Sequence, residues 1–237
     1  MMYSAQRTRM LRGLTYASIG LLALALLMNF FYVGPEKLQG EVQRIFYVHL
    51  GSFTGAFIAF GAALFAGIAY LRTRNPKWDT LGLASVEVGL GFSIMMIITG
   101  MAWARPIWNT WWTWDPRLTS VTIMWLAYAA YMMLRGGIED PERRRRFAAA
   151  YGIIAFASVL FTIIIIRIRP DTIHPVVAGP TKADPTGGFD VTPRIRNTLF
   201  FNLFTFSMIA CTLIWYRIRL ENMSERVLRR KLQVLSD

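Results

Sequence analysis

The chain has 237 residues, of which 54% are apolar and 17% are charged. A soluble domain of this size would not carry repeated runs of about 20 apolar residues, so the composition excludes an ordinary soluble globule and favours a polytopic helical membrane protein. A net charge of +12 would suggest nucleic-acid binding in a soluble protein, but basic membrane loops explain it here and no nucleic acid partner is expected. The single cysteine, Cys211, excludes a disulfide framework and a CxxC redox pair.

Six apolar runs follow one another along the chain. The predicted spans are 13–33, 46–70, 82–103, 118–134, 147–166 and 197–216. Gly34-Pro35 ends the first run, and Asn75-Pro76 marks the loop after the second. The first run is too long for a signal-peptide core and lacks a small-residue cleavage site, so we expect it to remain as a span. The sequence therefore predicts an all-α fold in which residues 1–237 form a single six-span membrane domain.

The distribution of basic residues predicts the orientation of these spans. Of the 26 Lys and Arg residues, 17 lie in the N-terminus, the second and fourth loops and the C-terminal tail. The other nine lie in the first, third and fifth loops. Because basic loops stay in the cytoplasm, both termini are predicted to be cytoplasmic. The tail is expected to continue as a helix along the membrane surface, where it would contact lipid.

Within the spans, two further features stand out. Span two carries four glycines that are predicted to permit close helix packing: Gly51, Gly55, Gly61 and Gly67. Span three carries one carboxylate, Glu87, in its cytoplasmic third. An intramembrane carboxylate is a functional candidate, and Glu87 could be a proton site, a contact to a neighbouring subunit or the partner of a polar group in the bundle. We favour a structural or assembly role.

Residues 103–119 contain most of the chain's tryptophan. This stretch reads WARPIWNTWWTWDPRLT, and five of the eight tryptophans lie between Trp103 and Trp114. Tryptophans at the end of a span commonly form a membrane belt, but belts are dispersed over many span ends. A concentration in one outer loop also suits a broad aromatic surface that binds a flat ligand.

The spacing within this stretch predicts a short helix lying along the outer membrane surface. Trp108, Trp111, Trp112 and Asp115 follow an i, i+3, i+4, i+7 pattern, which places them on one helix face. Pro106 suits the start of such a helix, and Pro116 limits its length. A pure anchor would not need Asp115 on the aromatic face, so Asp115 is predicted to orient a tryptophan N–H or an arginine.

The chain has only two histidines, His49 and His174, and both are predicted at the outer face. His49 opens span two and His174 lies in the loop between spans five and six. A lone interfacial histidine is commonly a hydrogen-bonding residue. Two neutral imidazoles approaching from opposite sides could instead hold a haem iron axially, with the tryptophans as the floor. Arg105 and Arg117 flank that floor, where they could pair with propionates or reach lipid phosphates.

The stretch from Thr99 to Ser120 resembles the tryptophan-rich "WWD" signature of bacterial haem-handling membrane proteins. Within that superfamily it is most similar to the CcmC family of the cytochrome c maturation system. The resemblance covers most of the chain and implies that His49 and His174 are axial iron ligands. It further implies a haem platform that contains Trp103, Trp108, Trp111, Trp112, Trp114 and Asp115.

The same resemblance implies a function and partners. Haem b, bound transiently at the outer face, would be delivered to the periplasmic chaperone CcmE, with CcmA, CcmB and CcmD as partner subunits. The chain departs from the family pattern at Asn109, where the signature usually has glycine. Leu50 follows His49 in place of the usual proline, and the segment 169–173 before His174 lacks the tryptophans of many relatives.

Delivery of haem would make the chain a subunit and not an enzyme. Three other functions compete with this interpretation. A cytochrome c synthase of the related branch carries additional histidines, whereas this chain has two. A b-type membrane cytochrome usually places its histidines deep within helices. A transporter subunit without a cofactor would leave the shared location of the histidines and tryptophans unexplained. The chain has no Walker-type phosphate loop, so any use of ATP would belong to a partner.

Overall fold

The computed structural model describes residues 2–36, 39–169, 172–174 and 192–236, and they form a bundle of long helices without a β-sheet. The long helices are α1 (Met2–Leu27), α2 (Arg44–Thr73), α3 (Pro76–Trp108), α4 (Pro116–Gly137), α5 (Pro141–Ile168) and α6 (Pro193–Ser236). Helix α1 continues as a π-helical turn, Met28–Tyr32, and a short 3₁₀ turn, Glu41–Gln43, precedes α2. The all-helical prediction is confirmed.

A capping residue followed by proline begins four of these helices. Asn75, Asp115 and Asp140 each accept a backbone N–H of the first helical turn through their side chains, from Lys77 (3.1 Å), Leu118 (2.9 Å) and Arg143 (2.7 Å) respectively. Thr192 precedes Pro193 in the same way at the start of α6. Proline suits the first helical position because its missing N–H would have no partner there and its fixed φ is helical.

Five of the helices in the described residues are long and apolar enough to cross a membrane, which supports a multi-pass membrane protein. The exception is α4, which has 22 residues, or about 33 Å at 1.5 Å per residue. Its length would suffice, but hydroxyl and aromatic side chains such as Thr122, Trp125, Tyr128 and Tyr131 lower its hydropathy.

The core lies around α2, which packs against α3, α5 and α6. A Cβ at Gly51 would come within 2.6 Å of Phe206, and one at Gly55 within 2.9 Å of Phe92. Gly67 likewise faces the backbone of α5, so three of the four glycines permit close packing as predicted. Gly61 has nothing within 4 Å, and the prediction for it is wrong.

The prediction of a short helix between Pro106 and Pro116 is wrong. Helix α3 runs through Pro106 and ends at Trp108, because Asn109 adopts the left-handed conformation with φ 55°. Asp115 is extended, at φ −66° and ψ 162°, since a residue before proline avoids the helical region. Too few residues remain between these two positions for a helix, and the tryptophan spacing reflects no shared helix face.

The C-terminal tail continues as a helix, as the sequence predicts, and no break separates it from the apolar part of α6. Helix α6 is continuous over 44 residues, or about 66 Å, which is roughly twice the thickness of a bilayer core. Residues 217–235 therefore extend the spanning part of α6 as one helix, and most of their side chains are exposed. No proline or glycine interrupts this part of the chain, so nothing in its sequence would bend the helix.

Candidate functional site

One end of the bundle brings together four segments that are distant in the sequence. They are the connection before α2, the end of α3, the residues before α4 and the residues after α5. At the opposite end, Asp79 accepts two hydrogen bonds from Arg135, at 2.5 and 3.0 Å, and Arg145 lies 3.6 Å from the same carboxylate. The first end holds both histidines and the tryptophan stretch, as the sequence predicts.

His49 lies in the second turn of α2 and is half-buried against α3. Its Nδ1 is 3.0 Å from the carbonyl oxygen of Met96 and 3.2 Å from Oγ1 of Thr99. A carbonyl can only accept, so Nδ1 carries the hydrogen and donates it. The lone pair of a neutral imidazole then resides on Nε2, which is the arrangement that orients and strengthens a histidine ligand.

His174 lies after α5, next to the end of α3. Its ring is 6.4 Å from the ring of Trp108, at an interplanar angle of 68°. Trp108 in turn meets Trp103 edge to face, at 5.1 Å and 87°. Nε1 of Trp103 donates to Oε1 of Gln39 at 2.9 Å. Gln39, Trp103, Trp108 and His174 thus form a continuous row across this end, which we name the aromatic row.

The other three tryptophans of the stretch, Trp111, Trp112 and Trp114, follow the end of α3 and form a second group. Trp112 and Trp114 meet edge to face at 5.8 Å and 79°. Trp111 and Trp114 are exposed, at 56% and 73% of their surface. The indole N–H of Trp112 is buried and has no hydrogen-bond partner among the described residues. The structure therefore splits the predicted platform into an inner aromatic row and an outer group.

Among the described residues, Asp115 makes no hydrogen bond to a tryptophan N–H or to an arginine. Its Oδ1 accepts the backbone N–H of Leu118 at 2.9 Å, which caps α4. Its Oδ2 accepts a hydrogen bond from the hydroxyl of Thr172. The same hydroxyl accepts the backbone N–H of His174 at 3.2 Å. Asp115 therefore connects the start of α4 with the segment that carries His174.

The two arginines of the predicted site lie in different surroundings. Arg105 is exposed, and its Nη1 donates to the backbone oxygen of Asn109 at 2.6 Å and to its Oδ1 at 2.8 Å. Arg117 is half-buried and donates to the backbone oxygen of Thr162 in α5. Its guanidinium carbon is also 5.9 Å from the ring centre of Phe53, one turn beyond His49 in α2.

Three residues of this end were not singled out from the sequence: Gln39, Thr99 and Thr172. Gln39 and Trp103 are 64 positions apart, and no local pattern links them. The sequence contains a weak indication for Thr172, because it stands two residues before His174. A threonine hydroxyl at that spacing can accept the backbone N–H of the later residue. Thr99 opened the signature stretch but was assigned no role.

Comparison with known proteins identifies the family. The family model described as "Heme exporter protein C" matches residues 2–234. The chain belongs to the heme exporter protein C family. A curated relative of that name from Bradyrhizobium diazoefficiens is 29% identical over 237 residues, covering 98% of this chain and 84% of the relative. The heme exporter protein C of Escherichia coli K12 is 27% identical over 210 residues, covering 87% and 81%.

Membership of the heme exporter protein C family confirms the resemblance inferred from the tryptophan-rich stretch. A further relative of the same name, from Rhodobacter capsulatus, is 30% identical over 156 residues, covering 66% of this chain and 63% of the relative. These names describe transport or handling of haem. None of them describes a catalysed reaction.

Proposed function

We propose that this protein handles haem in the cytochrome c maturation system, presenting it at the outer face of the bacterial inner membrane for delivery to the periplasmic chaperone CcmE. One observation carries the proposal. His49 and His174, the only histidines of the chain, lie at the same end of the bundle as the tryptophan stretch. Membership of the heme exporter protein C family agrees with it.

The donor set of this end fits haem. His49 donates its Nδ1 hydrogen to Met96, which leaves Nε2 for iron. His174 lies beside Trp108 on the aromatic row, and we propose it as the second residue that would hold the iron. The bond from Nδ1 of His49 to Met96 would keep the first ring oriented for this role. Both ligands must be deprotonated, so acid is expected to weaken binding.

The tryptophans are proposed as the platform, in which Trp103 and Trp108 form the inner part and Trp111, Trp112 and Trp114 the outer part. Exposure of Trp111 and Trp114 suits a site that must release its cargo. Arg105 is exposed and has donors to spare, so we assign it to a propionate. Arg117 donates into α5, and we assign it first to positioning α4 beside His49.

We propose that the haem is b-type, bound transiently and without a covalent bond. Thioether attachment requires cysteine, and the single cysteine of the chain lies within α6. The protein would act as a subunit and not as an enzyme. CcmA, CcmB and CcmD would be its partner subunits, and both termini would be cytoplasmic. A C-terminal green fluorescent protein fusion that fluoresces would support that orientation, and fluorescence only from an exported reporter would contradict it.

The decisive experiment compares haem spectra of purified variants. Wild type, His49→Ala and His174→Ala would be coexpressed with the chaperone and the neighbouring maturation subunits, then purified in detergent. Wild type should show the low-spin spectrum of iron with two imidazole ligands, and each variant should lose it. Trp78→Ala at the opposite end serves as the control and should retain the wild-type spectrum. Wild type without that spectrum, or variants that keep it, would refute the ligand assignment.

A second comparison tests the platform. Haem loading of the chaperone should fall with Trp103→Ala plus Trp108→Ala, because these two rings lie against each other and Trp108 lies against His174. The pair Trp111→Ala plus Trp114→Ala removes the exposed group and should mainly affect release. Loading that stays unchanged in both pairs would reduce the tryptophans to a membrane anchor.

A further inference from the structure

A chain of hydrogen bonds connects His174 to the start of α4 through one hydroxyl. The backbone N–H of His174 donates to Oγ1 of Thr172 at 3.2 Å. The hydroxyl of Thr172 then donates to Oδ2 of Asp115. A threonine hydroxyl has one donor and two acceptor positions, so both bonds are compatible with a single orientation of its hydrogen.

The far end of this chain is fixed to a rigid element. Oδ1 of Asp115 accepts the N–H of Leu118 in the first turn of α4, so both carboxylate oxygens are engaged. The bond from Thr172 ends on a carboxylate, which makes it stronger than a bond between neutral groups. A helix start holds a neighbouring group in place better than a loop does. The backbone of His174 is therefore held relative to α4, although it lies beyond the end of α5.

We propose that Thr172 is a positioning residue for His174, which sets the place of this imidazole beside Trp108 by coupling its backbone to Asp115. This role rests on the proposed function, because it matters for haem only if His174 is an iron ligand. It also gives Asp115 a role beyond capping: it anchors the segment that carries the ligand.

The substitutions Thr172→Val and Thr172→Ser separate the hydroxyl from the shape of the side chain. Valine has nearly the shape of threonine without its hydroxyl, whereas serine keeps the hydroxyl. Hemin titration of the purified protein should give an affinity about tenfold weaker for Thr172→Val, with a fraction of high-spin iron, and a value within about twofold of wild type for Thr172→Ser. Thr122→Val, in α4 and bonded only within its own helix, is the control and should match wild type.

A haem-free readout checks the same coupling. Hydrogen exchange should show the amide of His174 exchanging faster in Thr172→Val than in Thr172→Ser, with equal unfolding temperatures. The double variant Thr172→Val plus His174→Ala should bind hemin like His174→Ala alone, because Thr172 acts through His174. Equal hemin affinity and spin state in Thr172→Val and wild type, while His174→Ala loses the low-spin spectrum, would overturn this role alone. An unchanged spectrum in His174→Ala would instead overturn the ligand assignment.

Discussion

Gly100 of α3 lies directly beside the imidazole of His49. A Cβ built on Gly100 would come within 3.1 Å of Cε1 and 3.5 Å of Nδ1 of that ring. A carbon contact of 3.1 Å is tighter than most that proteins make, so an alanine here would displace the ring or α3 by a few tenths of an ångström. The absence of a side chain at position 100 is thus part of what lets Nδ1 of His49 reach the carbonyl oxygen of Met96.

Gly100→Ala should therefore weaken hemin binding by about tenfold, because the ring would lose its bond to Met96 and its orientation. Gly91→Ala is the matched control in the same helix, since nothing lies within 4 Å of its Cβ position. Alanine stabilises a helix interior by about 1 kcal/mol relative to glycine, so Gly91→Ala should unfold at a slightly higher temperature. Hemin affinity would be measured by absorbance. If Gly100→Ala and Gly91→Ala changed this affinity equally, the contact between position 100 and His49 would have no role in binding.

Asn109 adopts a backbone conformation that glycine reaches without steric cost. It ends α3 at φ 55°, and asparagine is the non-glycine residue that tolerates this region best. Asn109→Gly should keep the fold and the haem spectrum, whereas Asn109→Val should lower stability by about 1–2 kcal/mol. Arg74→Val offers a matched control, because Arg74 ends α2 with the same φ at the opposite end of the bundle.

Thermal unfolding in detergent should show similar losses of stability for Asn109→Val and Arg74→Val. Hemin affinity should fall only in Asn109→Val, since this turn directs the chain from Trp108 toward Trp111. A fall of affinity in both variants would mean that affinity follows global stability and not the turn.

Local patterns predicted the helices well because hydropathy and capping residues act within a few positions. The Asn75-Pro76 pair and the apolar runs mark helix limits without any tertiary information. The helical spacing of the tryptophans between Pro106 and Pro116 predicts a helix that does not exist, because Asn109 ends α3 and Asp115 begins α4.

Contacts between distant residues explain what the sequence did not predict. The bonds of Trp103 with Gln39 and of Asp115 with Thr172 join residues that are 64 and 57 positions apart. Only the packing of α2 and α3 and of α4 and α5 brings these residues together. The two histidines could be placed at one end because topology alone decides which loops share a side of the membrane.

Gln39 should determine the orientation of Trp103. Gln39→Leu removes the acceptor of the indole N–H, and an unsatisfied donor costs roughly 1–3 kcal/mol when buried and less here, because Trp103 is half-buried. Gln39→Glu keeps an acceptor and should behave like wild type. In the Trp103→Phe background the effect of Gln39→Leu should vanish. The free energies of unfolding of wild type, the two single variants and the double variant measure the coupling between Gln39 and Trp103 directly. Losses of stability that simply add in the double variant would contradict this coupling.

Glu87 should contribute to stability through Arg217, which is the bundle-pairing alternative among the roles considered for it. Nη2 of Arg217 donates to Oε1 of Glu87 at 2.9 Å, and Nη1 donates to Glu221 at 2.8 Å, so one cation of α6 connects a carboxylate of α3 with one of its own helix. Both Glu87 and Arg217 are about one-quarter exposed, at 27% and 24% of their side-chain surface.

Glu87→Gln should lower the free energy of unfolding by about 1–3 kcal/mol, which is less than for a fully buried pair because water screens part of the interaction. Glu225→Gln is the control, since its pair with Arg229 is exposed at 41% and 77% and should contribute less than about 1 kcal/mol. Unfolding would be followed by fluorescence in detergent. Hemin affinity should stay unchanged in Glu87→Gln, because Glu87 lies more than two helical turns from the segment of α3 that contacts His49. A variant with full stability but lost haem delivery would assign Glu87 to proton transfer or to a subunit contact instead.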